Sequence, residues 1–582
     1  MHHPTAPHAN VITMPTVIER PIPEAALDRL RSAGVHPVLA RVFAARGIED
    51  PDHLAPALAH LLPHTALTNA VHMAEVLADA IAQRRRLLIV GDYDADGATA
   101  SAVGYLALRR FGAVVETLVP NRFEFGYGLT PEIVRIAAER RPDMIITVDN
   151  GIASLDGVDE ARRLGIEVLV TDHHLPGAEL PRARVIVNPN QHDCAFPSKH
   201  LAGVGVMFYV MTALRAELRR RGAFTDGREP NLAELLDLVA LGTVADVVRL
   251  DRNNRILVAH GLKRMRARRA RPGIQALASA AGRDLSRATC LDLGFTLGPR
   301  LNAAGRLEDM AQGIECLVTA DPDRATALAQ RLDTLNRERR GIESDMQASA
   351  LASLENVEVT TSVSLVLHDT SWHPGVVGLL ASRLRERFHR PTLCFAAGTA
   401  GELKGSGRSI PALHLRDALD LVDRRHPGLM LRFGGHAAAA GVSIGEASLP
   451  AFRAAFEAVA ASLLSPADLQ RVIETDGGLD PALLDLGLAQ SIRDEVWGQG
   501  FAAPLFADDF RVRAQRVVGN AHTKLELVPD DGLRTGSPVG AMLFRHDQPL
   551  PPRIRAAYQV DVNEWNGERS VQLTLEHWEP AA

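Results

Sequence analysis

Cysteine is scarce in this chain of 582 residues: Cys194, Cys290, Cys316 and Cys394 are scattered, and no CxxC pair occurs. That spacing argues against a zinc cluster and against a disulfide framework, leaving four core or surface thiols. Long apolar runs are missing too, none reaching the length of a membrane span. Residues Met1 to Met14 are polar and rich in His and Pro, with no basic segment followed by an apolar one, so the expected location is the cytoplasm, off any membrane. Nor is there a strong charge of one sign, since 64 basic and 70 acidic residues leave a formal −6. A small sum conceals patches, and an Asp-rich centre surrenders negative charge when it binds cations, so nucleic acid is not excluded as a partner. Apolar residues, by contrast, make up 46% of the chain, enough at this length for several domains with their own cores.

The chain is organised around Val90-Gly91-Asp92-Tyr93-Asp94-Ala95-Asp96-Gly97-Ala98-Thr99-Ala100. The preceding run Leu87-Leu88-Ile89-Val90 suits a buried strand, which delivers three carboxylates at alternate positions just before a small-residue helix start. Asp92, Asp94 and Asp96 repel one another at a low effective dielectric, and a bound cation is the physical reason to tolerate them; the bland alternative is a solvated acidic turn. A calcium loop fails on spacing, because no Glu stands at the twelfth position, where the motif needs its bidentate ligand.

From 85 to 190 short apolar runs alternate with helical patterns, the signature of a parallel doubly wound sheet whose ligands lie beyond the carboxyl ends of its strands. Two further strands end in chemistry there. Ile145–Val148 leads into Asp149-Asn150-Gly151, and Val168–Val170 leads into Thr171-Asp172-His173-His174. Mixed carboxylate and imidazole donors suit Mn²⁺ or a similar ion, often as a pair. A fourth apolar run, Leu238 to Ala245, ends in Asp246, which alone would read equally well as a helix or strand cap. Earlier, helices are expected over Glu24–Ser32 and His72–Gln83; later, one long charged helix is expected from Ala320 to Leu354. A second α/β unit follows, and from about 470 short strand-like runs between turn residues suggest a small β-barrel of OB type. The basic run Lys263 to Arg271 reads as solvated helix surface.

Taken in order, GDYDADG, VDNG, TDHH and GTVAD resemble the DHH superfamily of phosphoesterases. The later segments Gly298 to Arg306, Trp372 to Gly378, Gly405 to Ser409 and Gly434 to Gly441 narrow the resemblance to its single-strand-specific exonucleases. Departures are few: Arg249 stands where Pro is expected, Phe501 replaces an Asn, and the Gly and Lys pattern near Val517 to His522 is altered. The resemblance implies an N-terminal helical lead-in over 1–80, a DHH catalytic domain over 81–319, a connecting helix over 320–356, a DHH-associated α/β domain over 357–466 and an OB-type domain over 467–582.

It also implies roles. Asp94, Asp96, Asp149, His173 and Asp246 would hold two divalent ions, Mn²⁺ or Mg²⁺, with Asp149 bridging and Asp92 completing one site or standing behind it. Asp172 would orient an imidazole, and His174 would contact the scissile phosphate. Arg122, Arg300, Asn302 and Arg306, expected in loop-like segments, would take phosphate oxygens, and Phe123 or Tyr127 would stack a base unless core packing claims the ring. Arg383, Ser406 and Arg408 would grip a 5′ phosphate beside Gly-rich turns, with His436 near the cleft. The activity implied is 5′→3′ exonucleolysis of single-stranded DNA in repair and recombination. A single-strand-binding protein and a RecQ-type helicase are the implied partners of a monomer. Two competing functions share the pattern: a phosphodiesterase for oligoribonucleotides or cyclic dinucleotides, and a non-catalytic single-strand-binding factor. The β-barrel and the N-terminal region exceed what the first needs, and the intact Asp and His positions oppose the second.

Overall fold

The computed structural model describes residues 15–119, 128–224, 227–354, 362–398, 401–519, 521–530 and 537–581. Two compact units divide the chain. One joins Glu19–Asn336 to Thr475–Ala582, and the other comprises Arg337–Glu474 with the described residues up to Ile18.

At the heart of the first unit lies a five-stranded sheet in the order Val114–Leu118, Arg86–Gly91, Met144–Val148, Glu167–Thr171, Val185–Val187, every pair parallel. Its three inner strands are apolar at successive positions because both faces are buried. Leu87 and Ile89 point into one core with Met144 and Ile146, while Leu88, Val90 and Ile145 point into another, against Ile133, Val134 and Val158. Helices therefore cover both faces, as the alternating pattern requires. The strand order reverses between Arg86–Gly91 and Met144–Val148, and this reversal opens a crevice at their carboxyl ends. Helix Ala95–Arg110 can press close to its neighbours because its first half is built almost wholly of buried small residues.

The N-terminal helices belong to this unit. Glu24–Ser32 forms as its spacing predicts, and Ala70–Ala82 lies close to the expected span. Between them, helix Pro37–Ala44 escapes sequence reading, because it buries two sides at once. Ala40, Phe43 and Ala44 enter the catalytic core, while Val38 and Val42 enter the core of the C-terminal barrel. Just after it, buried Arg46 pairs with Asp476 at 2.7 Å and also donates to the carbonyls of Val42 and Ala502. Phe501 belongs to the same junction: it stacks with Phe43 and Trp497, and the Arg255 guanidinium lies 4.1 Å from its ring centre. Its replacement of a polar residue is thus a packing feature.

The barrel is closed, in the order Phe506–Val518, His522–Pro529, Val539–Phe544, Glu568–Pro580, Arg553–Trp565. Val539–Phe544 pairs in parallel with Glu568–Pro580, and the other pairings are antiparallel, giving an OB-type topology. The basic run is less solvated than its composition suggests. Lys263, Arg268 and Arg269 are exposed, but Arg266 donates to the carbonyls of Ala288 and Asp494, and Arg271 to those of Leu317 and Val318.

Helix Pro322–Leu354 runs out of the first unit and into the second. There a mixed sheet has the order Arg432–Gly435, Ala439–Gly445, Glu402–Arg408, Thr392–Ala397, Leu365–His368. Of the two segments expected as Gly-rich turns, Gly405 to Arg408 lies in a strand, and Gly434 to Gly441 is a hairpin that turns at 436–438 between two strands. A side chain at Gly405 would strike the Phe395 ring at 2.4 Å, so glycine there admits an aromatic core rather than a turn. No described helix is long and apolar enough to cross a membrane.

Candidate metal centre

The crevice collects carboxylate and imidazole side chains from four chain segments. Strand Arg86–Gly91 ends at buried Asp92, and Asp94 then caps helix Ala95–Arg110, its Oδ1 accepting from the amides of Asp96 and Gly97 at 2.9 and 3.0 Å. Asp96 is fully enclosed. Its carboxylate accepts from the amides of Gly203 and Val204 at 2.6 and 2.9 Å, the first N–H groups of helix Gly203–Arg220, whose positive end suits an anion.

Asp149 follows strand Met144–Val148 and takes φ 61°, a left-handed conformation uncommon for a residue with a side chain. The surroundings enforce it: the Asp149 amide donates to the Thr171 carbonyl at 3.1 Å, and Asn150 Nδ2 donates to the carbonyls of Val90 and Val148, tying the two strand ends together. Asp246 closes helix Leu236–Ala245 at its C-terminal end. A carboxylate is the wrong charge for that end of a helix dipole, so its position points to a ligand role rather than a cap. Its buried Oδ2 accepts no hydrogen bond from a described residue.

His173 Nε2 sits among carboxylates, 3.0 Å from Asp149 Oδ1, 3.5 Å from Asp246 Oδ2 and 3.9 Å from Asp96 Oδ2. Asp172, behind them, orients His174 rather than His173. Its Oδ1 lies 2.7 Å from His174 Nδ1 and also accepts from both histidine amides, while its Oδ2 accepts from the Ile152 amide. Of the two imidazoles His174 is the more open, 29% exposed against 12% for His173, so it is the one that can meet an incoming phosphate.

Among the described residues, three overlapping sets bring one ligand atom each within 4.8 Å of one another: Asp92, Asp94 and Asp149; Asp96, His173 and Asp246; Asp149, His173 and His174. Asp149 is common to two of them. Protonation follows from this crowding. Burial, and then the charges of neighbouring carboxylates, push Asp149 and Asp246 well above the usual carboxylate range, and burial with Asp94 lifts Asp96 to about 7. Burial works against charge on His174 too, yet the hydrogen bond and charge of Asp172 and the fields of Asp92 and Asp94 raise it to about 9. Burial also acts to raise Asp172, but the His174 and His173 interactions outweigh it and hold it low. Carboxylates about 5 Å apart repel by on the order of 3 kcal/mol per pair at an effective dielectric of 20, and divalent cations remove that cost. Carboxylate and imidazole donors in these sets fit two such ions.

A doubly wound parallel sheet with Asp and His donors gathered at its switch point defines a metal-dependent phosphoesterase of the DHH class. Residues 86–243 match the DHH family, N-terminal domain, and residues 357–462 match the DHHA1 domain. Residues 475–577 match the RecJ OB domain. The single-stranded-DNA-specific exonuclease RecJ of Dickeya dadantii is 51% identical over 555 residues, 93% of this chain and 96% of that protein. The crystal structure of RecJ with Mn²⁺ from Thermus thermophilus superposes with TM-score 0.80 at 32% identity, covering 97% of this chain and 80% of that one. Its Mg²⁺ counterpart gives 0.74 at 30% identity, covering 97% and 78%. The chain belongs to the RecJ family of single-stranded-DNA-specific exonucleases.

Other expected site residues fare differently. Arg122, Phe123 and Tyr127 lie outside the described residues. Arg300, Asn302 and Arg306 are on helix Gly298–Leu307, not in a loop. Arg300 is buried, with Nε and Nη2 on Asp333 Oδ1 at 3.0 and 2.8 Å and Nη1 on the Thr296 carbonyl at 2.6 Å, so its guanidinium braces the helix. Asn302 faces the Asp92–Asp96 segment. In the second unit, Ser406 and Arg408 share strand Glu402–Arg408, Arg383 rests Nε on Glu343 at 2.9 Å, and His436 is exposed between strands Arg432–Gly435 and Ala439–Gly445. The amides of Gly203 and Val204 were missed by sequence reasoning, although the small residues Ala202-Gly203-Val204-Gly205 opening an apolar helix were the available signal.

Proposed function

We propose that this chain is a 5′→3′ exonuclease that hydrolyses phosphodiester bonds of single-stranded DNA, using two divalent ions, in DNA repair and recombination. The observation that carries this is the place of Asp149 at the switch point, grouped with Asp92 and Asp94 on one side and with His173 and His174 on the other, in a chain of this family. Asp92, Asp94 and Asp149 would hold one ion, and Asp96, His173 and Asp246 the other, with Asp149 Oδ1, 3.0 Å from His173 Nε2, beside the second set as well. Ions held there supply charge neutralisation on the phosphoryl group and acidify water.

The protein's own residues do the rest. Asp172 fixes the His174 ring, and Asn188 and Asn190 hold the carbonyls of His174 and His173 at 2.8 and 2.5 Å, so the pair is set before substrate arrives. A protonated His174 would meet a phosphate oxygen with charge as well as a hydrogen bond.

For the 5′ end, the second unit offers an anion cradle. A side chain on Gly378, in the first turn of helix Val377–Phe388, would lie 2.9 Å from Ser406 Oγ and 3.1 Å from Arg408 Nη2. Hydroxyl and guanidinium thus crowd one spot beside the first turn of that helix, and glycine leaves it open. Arg306, Arg383 and His436 join this reading as nucleic-acid contacts. A single-strand-binding protein and a RecQ-type helicase are the partners in this proposal, with a monomer acting in the cytoplasm.

Three labelled substrates test the activity: single-stranded DNA, blunt duplex DNA and RNA, each with Mn²⁺ and with EDTA. Only the DNA single strand with Mn²⁺ is expected to be degraded, by about 100-fold over the others. Preferred cleavage of short RNA would favour the oligonucleotide phosphodiesterase reading instead.

A further inference from the structure

We propose that Asn302 is a positioning residue for the ion-binding segment Asp92–Asp96, acting as a hydrogen-bond acceptor toward the backbone and not as a donor to phosphate. This rests on the two-ion reading above. Asn302 Oδ1 accepts from the Ala95 amide at 2.7 Å, across 207 residues of sequence. The orientation of the side-chain amide is fixed by its partner, because an N–H can be met only by the oxygen.

Ala95 begins helix Ala95–Arg110, where the first amides have no partner within the helix. Asp94 Oδ1 serves the amides of Asp96 and Gly97, and Ala95 itself is 1% exposed, so Asn302 serves the donor the cap leaves over. One turn later, Gly305 lies against the same segment: a side chain there would fall 1.8 Å from the Tyr93 carbonyl oxygen. Asn302 and Gly305 therefore press on the two residues that alternate with the carboxylates, Ala95 and Tyr93, which leaves Asp92, Asp94 and Asp96 to be aimed by a backbone held from outside. The helix that presses is itself anchored by Arg300 on Asp333 and the Thr296 carbonyl. Within a motif expected to bind substrate, Asn302 and Gly305 thus form the back wall of the ion site.

Two substitutions separate acceptor from donor. Asn302→Asp keeps an oxygen facing Ala95 and abolishes any donor to phosphate; Asn302→Ala abolishes both. Mn²⁺ binding to the full chain is measured by titration calorimetry, and single-strand affinity by anisotropy without divalent ions. Asn302→Ala is expected to weaken Mn²⁺ binding by about 10- to 100-fold, and Asn302→Asp to stay within about three-fold of the parent or tighter. Neither should shift single-strand affinity more than about three-fold, whereas loss of a phosphate contact would shift it in both. Unchanged Mn²⁺ affinity in Asn302→Ala, or equal loss in both variants, overturns the proposal. If the parent chain itself binds no Mn²⁺, the two-ion reading is what fails, and the positioning role falls with it.

Discussion

Asp149→Asn is expected to lower kcat on single-stranded DNA by about 1,000-fold or more, while single-strand affinity changes by less than about three-fold. A thousand-fold is about 4 kcal/mol of transition-state stabilisation, a reasonable toll for a ligand shared by two ions. Asparagine is the informative replacement. It matches Asp in shape and tolerates the left-handed backbone at φ 61°, so the variant should fold without new strain. It also removes one charge from a cluster in which burial and neighbouring carboxylates already push Asp149 toward its neutral form. The melting temperature in EDTA should therefore not fall below that of the parent. Steady-state turnover and anisotropy check the two halves, and retention of more than about a hundredth of parental kcat would contradict Asp149 as the shared ligand.

Gly203→Ala should be nearly as damaging, although Gly203 itself offers only an amide. An added Cβ would fall 2.7 Å from Asp149 Cβ and 2.9 Å from its Oδ1, closer than real Cβ atoms approach. Asp149 cannot yield easily, held as it is by the Thr171 carbonyl at 3.1 Å, and Gly203 cannot retreat without losing Asp96 at 2.6 Å. One methyl therefore displaces either the shared ligand or the amide that orients another. Misplacement by about 1 Å typically costs about 100-fold in rate, and kcat is expected to fall by that much with circular dichroism unchanged. Gly205→Ala is the control: its Cβ would come no nearer than 3.1 Å, to the end of the Leu201 side chain, which can turn away, so activity should stay within about three-fold. Equal losses in both variants would show that general disturbance of helix Gly203–Arg220 is responsible.

Much of this candidate centre is legible in sequence because most of its Asp and His side chains follow apolar strands directly. Leu87–Val90, Ile145–Val148 and Val168–Val170 announce their own burial, and a doubly wound sheet places whatever comes next at one edge. What resists reading depends on partners far away in the chain. Gly298-Pro299-Arg300-Leu301-Asn302 looks like a loop, yet Pro is accepted in the first turn of a helix, and the acceptor role of Asn302 exists only because Ala95 lies 207 residues earlier. Gly405 and Gly407 resemble turn residues until Phe395 and Leu415 are seen against them. Helix Pro37–Ala44 is short, and its apolar residues divide between two cores, which the sequence does not announce.

Direction of digestion tests the central claim most directly, since it requires the ion centre to cut and the 5′ end to be recognised. A single strand bearing a 5′ phosphate, labelled in one sample at its 5′ nucleotide and in another at its 3′ nucleotide, is followed in time with Mn²⁺ present. The expected result is immediate release of the 5′ label as mononucleotide, with the 3′ label retained on a shrinking ladder and both reactions stopped by EDTA. Early release of the 3′ label, or digestion that continues in EDTA, would contradict a two-ion 5′→3′ exonuclease.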